Sequence, residues 1–184
     1  MSQISKIGVI GAGNMGSGIA QKIAQEGIQV VMVDMTDEFV ERGMDTITKI
    51  LSRNVDKGKM SEDDKHAVLE RIKPSSGLND MAAADFVVEA AIEKEDIKFQ
   101  IFRDLDEICE ANAILATNTS SIPIGRIAAR TTRPEKVIGM HFMNPVPVMK
   151  LVEVIRGIAT SEETFKVTWD LAEKFGKTPA KAED

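Results

Sequence analysis

Lys6-Ile7-Gly8-Val9-Ile10-Gly11-Ala12-Gly13-Asn14-Met15-Gly16 decides the fold. A strand-length apolar run leaves through a G-x-G-x-x-G turn. The residues after it fall into a helical period, with Ile19 and Ile23 on the buried face and Gly27 as the stop. The glycine hexapeptide alone marks any tight turn. Set between a strand and a helix, in a βαβ unit of about 30 residues, it predicts a dinucleotide site. Gly11 permits the sharp turn, Gly13 lets a pyrophosphate approach the backbone, and Gly16 lets helix and strand pack closely. Asn14 and Met15 complete the cofactor-binding loop, where phosphates meet the free N–H groups and positive end of the helix. The acidic partner is Asp34, the first residue past the second strand and 21 positions after Gly13. A carboxylate there accepts from a ribose diol and repels a 2′-phosphate, which favours NAD over NADP; a turn or helix-capping aspartate is the plainer alternative.

Outward from this unit, apolar runs of strand length alternate with longer helical periods, the pattern of a parallel sheet covered by helices. Strands are expected at 4–10, 29–33, 72–74, 85–89, 114–117, 137–142 and 151–156. Helices are expected at 14–26, at 94–109 with Ile97, Ile101, Leu105 and Ile108 on one stripe, and at 161–175, stopped by Gly176 and Pro179. Between the second and third strands lies a helical pair. Its first helix, 37–57, is followed by Gly58 as a left-handed cap, and its second opens on the capping spacing Ser61-Glu62-Asp63-Asp64. The pair is longer than a crossover needs and reads as an insertion. The fold class is α/β: a single Rossmann-type, doubly wound, mainly parallel domain over residues 1–184, with the helical pair inserted after the second strand.

Composition narrows the chemistry. Among 184 residues, 23 basic and 29 acidic side chains give a net charge of −6, without the clustered basic charge of a nucleic-acid or membrane-surface binder. No Tyr is present, which excludes the Tyr-Lys pair of short-chain dehydrogenases. One Cys excludes an internal disulfide framework, and two His make a multi-histidine metal site unexpected. A polar lead at 1–5, no apolar run near the roughly 18 residues of a membrane span, and the lone cysteine point to a reduced, cytoplasmic protein.

If an imidazole does acid–base work, it is His66 or His141. His66 sits among Asp63 and Asp64 on a polar helix and reads as solvated. His141 ends a strand, where open α/β sheets present groups to ligands. Beyond it, Glu153 interrupts the apolar run Leu151-Val152-Glu153-Val154-Ile155. A partly buried carboxylate needs a partner, and His141 is the candidate: a carboxylate on one ring nitrogen fixes the tautomer and leaves the other as base. The segment Thr117-Asn118-Thr119-Ser120-Ser121 follows the fifth strand. Its amide and hydroxyl groups can bond a nicotinamide amide or a substrate oxygen; equally, Ser121 can cap a short helix starting near Ile122.

The glycine loop, the Asn118-Thr119-Ser120-Ser121 turn and the His141…Asn144-Pro145…Glu153 segment together resemble the L-3-hydroxyacyl-CoA dehydrogenases, in particular the bacterial 3-hydroxybutyryl-CoA branch. The resemblance runs over essentially the whole chain. It implies NAD as cofactor and a 3-hydroxyacyl-CoA substrate in fatty acid or butyrate metabolism. It implies that His141 is the general base, that Glu153 orients it, and that Ser120 and Asn144 hold the substrate oxygen and nicotinamide. It further implies that Glu93 and Lys98 touch the cofactor and Lys57 touches coenzyme A; a lysine at a helix carboxyl end is ordinarily a solvated charge. In the family a helical domain follows, opening on a Pro-Gly-Phe and Asn-Arg sequence. It supplies homodimer contacts and part of the acyl-CoA cleft, and this chain ends at Lys181-Ala182-Glu183-Asp184, where that segment is expected to begin. Two other readings stand beside this one: a nucleotide-binding half without turnover that docks to a separate helical subunit, and a related dehydrogenase of a free hydroxy acid.

Overall fold

The computed structural model describes residues 4–184, so Met1 to Gln3 of the expected polar lead lie outside the described residues. In chain order the elements are β1 (Lys6–Ile10), α1 (Asn14–Gln25), β2 (Gln29–Val33), α2 (Asp37–Asp56), α3 (Glu62–Glu70), β3 (Ile72–Ser75), β4 (Phe86–Glu89), α4 (Glu95–Ile108), β5 (Ile114–Thr117), α5 (Ile124–Ala128), β6 (Val137–Phe142), β7 (Leu151–Arg156), α6 (Glu162–Lys174) and β8 (Thr178–Glu183). One eight-stranded sheet runs in the order β3-β2-β1-β4-β5-β6-β7-β8. Every pairing is parallel except β6 with β7. The order in which strands are added reverses between β1 and β4, so the crevice where such sheets take ligands opens at the carboxyl ends of these strands.

Local chemistry sets the boundaries. Thr36 Oγ1 accepts from Phe39 N to start α2, and Gly58, at φ +65°, closes it in the left-handed conformation. Ser61 and Asp64 cap α3 reciprocally, and Ser161 accepts from Thr164 N at the start of α6. Each sheet face carries its own apolar layer. α1, α2, α3 and α6 pack through Ile19, Ile23, Ile47, Leu51 and Leu171 on one side. α4 and α5 pack through Phe99, Phe102, Leu105 and Ile127 on the other.

Two expectations need correction. The buried face of α4 is Lys98, Phe99, Phe102 and Leu105, while Ile97 is exposed and Ile101 and Ile108 are only partly covered. Of the expected stripe only Leu105 is fully buried; the helix is rotated from it because two phenylalanines fill the layer and Lys98 turns inward to a buried carboxylate. Residues 178–183, where no strand is expected and Pro179 is taken only as a helix stop, form β8 on the sheet edge beside β7. An edge strand tolerates Pro179 and polar alternation, the features that hide it from an apolar-run reading.

Candidate active site

The glycine loop is built as its sequence requires. Gly11 lies at φ +98°, and a Cβ on Gly16 would stand 1.8 Å from Gly11 O, so neither position accepts a side chain. A Cβ on Gly13 would meet nothing within 4 Å, so the loop faces open space at that point. α1 begins at Gly13 with no capping side chain and no acidic residue in its first turn, which leaves its amides free for an anion. Asp34 Oδ2 accepts from Ala12 N at 2.7 Å and Oδ1 from Met35 N at 2.7 Å, fixing the carboxylate against the loop. These features fit a dinucleotide: donors for the pyrophosphate, an opening for its approach, and a braced carboxylate at the fingerprint's acidic position. Asp34→Arg is expected to move the NADH-to-NADPH affinity ratio toward NADPH, measured by nucleotide titration. An unchanged ratio rejects the role of Asp34.

Behind the cleft, β4 ends in a buried carboxylate. Glu89 has no exposure, and Lys98 reaches it from α4 with Nζ 2.6 Å from Glu89 Oε1 and only 1% of its side chain accessible. Glu89 also accepts from Ala91 N and from Thr117 Oγ1, each at 2.7 Å. Lys98 continues to Glu93 at 3.2 Å, and Glu93 accepts from the hydroxyls of Thr119 and Ser121. Partial burial pushes the Glu93 carboxyl up, but the Thr119 hydroxyl and the Lys98 ammonium outweigh it and hold its pKa below the usual range. Lys98 Nζ is therefore committed to this network. Thr119 Oγ1 also accepts from Ser121 N and Ile122 N, so Thr119 organises the turn before α5. Ser121 caps no helix: α5 begins after Pro123 without a side-chain cap.

The β6–β7 pairing places His141 directly opposite Glu153, and the imidazole Nδ1 meets Glu153 Oε2 at 2.7 Å. The histidine is largely covered and the carboxylate 39% accessible. With Nδ1–H donated to the carboxylate, Nε2 is left as the unshared base on a residue that lines the cleft. That cleft, about 330 Å³, is walled by Met15, Glu93, Lys98, Asn118, Ser120 and Asn144 among others. Asn14 Nδ2 donates to Asn144 Oδ1 at 3.1 Å and ties the glycine loop to the segment after His141. Asn118 Oδ1 accepts from Phe142 N at 2.8 Å, so its carbonyl end is used to hold β6 beside β5.

The structure thus joins the three sequence motifs around one opening. Lys57 stands apart: it is the exposed C-cap of α2, and a helix of that length runs about 30 Å from the end next to Asp34. Sequence reasoning passed over Glu89, and it offered to a ligand the hydroxyls of Thr117 and Thr119, which the structure spends on Glu89 and Glu93. The signal for Glu89 was the one used for Glu153, a carboxylate in an apolar strand.

Fold and loop together define a Rossmann-type dinucleotide-binding domain. Over residues 6–184 the chain matches the family model described as 3-hydroxyacyl-CoA dehydrogenase, NAD binding domain, and it belongs to that family, whose cofactor is NAD. A probable 3-hydroxybutyryl-CoA dehydrogenase of Bacillus subtilis is 52% identical over 182 residues, covering 99% of this chain and 63% of that protein. The 3-hydroxyadipyl-CoA dehydrogenase of Escherichia coli K12 is 41% identical over 181 residues, 98% of this chain and 38% of its own length. The crystal structure of (S)-3-hydroxybutyryl-CoA dehydrogenase from Ralstonia eutropha matches with a TM-score of 0.97 at 46% identity, covering 99% of this chain and 64% of that one. The chain spans less than two thirds of the length of these relatives. Among the described residues no helix is long and apolar enough to cross a membrane.

Proposed function

We propose that this domain carries the cofactor site and most of the catalytic side chains of an NAD-dependent dehydrogenase. The enzyme interconverts (S)-3-hydroxyacyl-CoA, with 3-hydroxybutyryl-CoA as first candidate, and 3-oxoacyl-CoA. The observation that carries this reading is the 2.7 Å His141–Glu153 pair, whose histidine lines the same cleft as Met15 of the dinucleotide loop. The names of the relatives support the substrate class, and the 3-hydroxyadipyl-CoA enzyme among them keeps acyl length open.

His141 Nε2 takes the proton of the 3-hydroxyl as the C3–H electron pair departs, and Glu153 stabilises the imidazolium that forms. NAD, when bound, is the acceptor of that hydride. In the reverse direction the imidazolium returns its proton to the oxygen on C3. Ser120 and Asn144 line the cleft beside His141 and orient the substrate oxygen and the nicotinamide. Asn118, Glu93 and Lys98 shape the cofactor side, with Lys98 acting through the Glu93 carboxylate it holds. Lys57 meets the coenzyme A moiety. A helical domain beyond this one closes the acyl-CoA cleft and supplies homodimer contacts, and the protein works in the cytoplasm.

The direct test is loss of NADH absorbance on mixing with acetoacetyl-CoA, with a His141 variant and free acetoacetate as controls. Turnover that depends on His141 and on the CoA thioester supports the reading. No turnover while NADH binds, even with a relative's helical domain supplied in trans, rejects it. Glu153→Gln should lower kcat by about 10²-fold or more and displace the pH–rate profile. An unaltered profile argues against the pair acting as a unit.

A further inference from the structure

Residues 143–150 connect β6 to β7, and so carry Asn144 and separate His141 from Glu153. Their internal bonds are few: Val148 N and Met149 N both reach Pro145 O at 3.0 Å. From outside, Asn14 Nδ2 holds the Asn144 side chain at 3.1 Å, and the backbone is held by Lys177, which follows the left-handed Gly176 at the end of α6. Its side chain is buried, with the residue 7% exposed, and Nζ donates to the carbonyls of Val146 and, at 2.7 Å, Met149. Thr178 N adds a bond of 2.8 Å to Lys150 O as β8 begins. On the other side Val146 sits against Gly18 of α1, where a Cβ would come within 3.1 Å of it.

No carboxylate among the described residues pairs with Lys177. The charges that act on it are Lys22 in α1 and Glu26 at its carboxyl cap, which pair with each other at 2.5 Å. Burying an ammonium against two carbonyls is costly, and a methionine would fill the same space without that cost. Burial, then Lys22, bring the lysine's pKa down to about 8, with Glu26 opposing. Such a group is explained by what it fixes.

We propose that Lys177 is a positioning residue for the catalytic pair: its ammonium clamps the Val146 and Met149 carbonyls and thereby sets the connection that presents Asn144 and holds Glu153 opposite His141. This rests on the dehydrogenase reading for its consequence in turnover, but its geometric content is measurable without turnover.

The chain has two histidines, so nitrogen-15 imidazole spectra carry His141 and, as an internal control, the exposed His66 on α3. In Lys177→Met the His141 signals are expected to shift and broaden and its titration midpoint to move, while His66 stays fixed. Lys177→Gln, whose neutral amide keeps two N–H donors on a shorter stem, should restore part of the wild-type pattern and serves alone if the Met variant does not fold. Where the wild-type protein reduces acetoacetyl-CoA, kcat should fall about 10–100-fold, the loss expected of a displacement near 1 Å, with KM for NADH unchanged. Unmoved His141 signals in a folded variant overturn the proposal. Wild-type protein that binds NADH without turnover, even with a relative's helical domain supplied in trans, overturns only the dehydrogenase reading, since the spectra still report on the clamp.

Discussion

His141→Gln is expected to cut turnover of acetoacetyl-CoA by about 10³–10⁴-fold, near the top of what one general acid–base residue contributes, and to leave NADH affinity intact. The separation follows from where the bonds lie. In the proposed site the pyrophosphate and ribose would be held by the α1 amides, the Gly13 opening and Asp34, none of which is bonded to the imidazole. Gln preserves the approximate volume and can still donate to Glu153, so the β6–β7 register survives while the base at Nε2 is lost. A drop in kcat and in kcat/KM together, with unchanged NADH binding, is the signature of an interaction made in the transition state. Near-normal turnover would end the assignment. A parallel loss of NADH affinity would show instead that the histidine holds the cofactor.

What the sequence disclosed and what it concealed follow from how local each signal is. The glycine loop, β2, β5, β6 and β7 come from runs of a few residues whose steric and burial needs are complete in themselves. The His141–Glu153 pair is nearly as local. Twelve residues separate them, and once two adjacent strands are recognised, a carboxylate in an apolar strand has few places to find a partner. The Glu89–Lys98 pair obeys the same logic across nine residues. It was obscured because the isoleucines of α4 form a regular stripe that competes with the true face, and burial of Lys98 decides between them only once Glu89 is seen. β8 depends on the edge of a sheet already formed, and nothing within residues 178–183 announces it. The clamp on residues 143–150 is less legible still, since it joins a side chain to carbonyls, which carry no residue identity.

Lys98→Met should cost about 3–5 kcal/mol of folding stability, the penalty for leaving a buried charge without its partner. At about 2–4 °C per kcal/mol for a domain of this size, that is a fall in Tm of about 6–20 °C, read by thermal or urea unfolding. The loss comes from Glu89. It is wholly buried, and without the ammonium 2.6 Å away it keeps only the Ala91 amide and the Thr117 hydroxyl for its negative charge. Removing that charge as well should recover most of the stability: in the double variant Glu89→Gln/Lys98→Met, the amide oxygen still accepts from Ala91 N. A double variant as unstable as the single would place the cost in lost packing of the lysine stem. The pair need not stabilise the fold relative to two apolar residues for this to hold, because paired burial is often near neutral and only its breakage is expensive. What the pair secures is position. Glu89 fixes Thr117 at the end of β5, and Lys98 holds Glu93 where it gathers Thr119 and Ser121, so the wall of the cleft opposite His141 is set by a charge network inside the sheet.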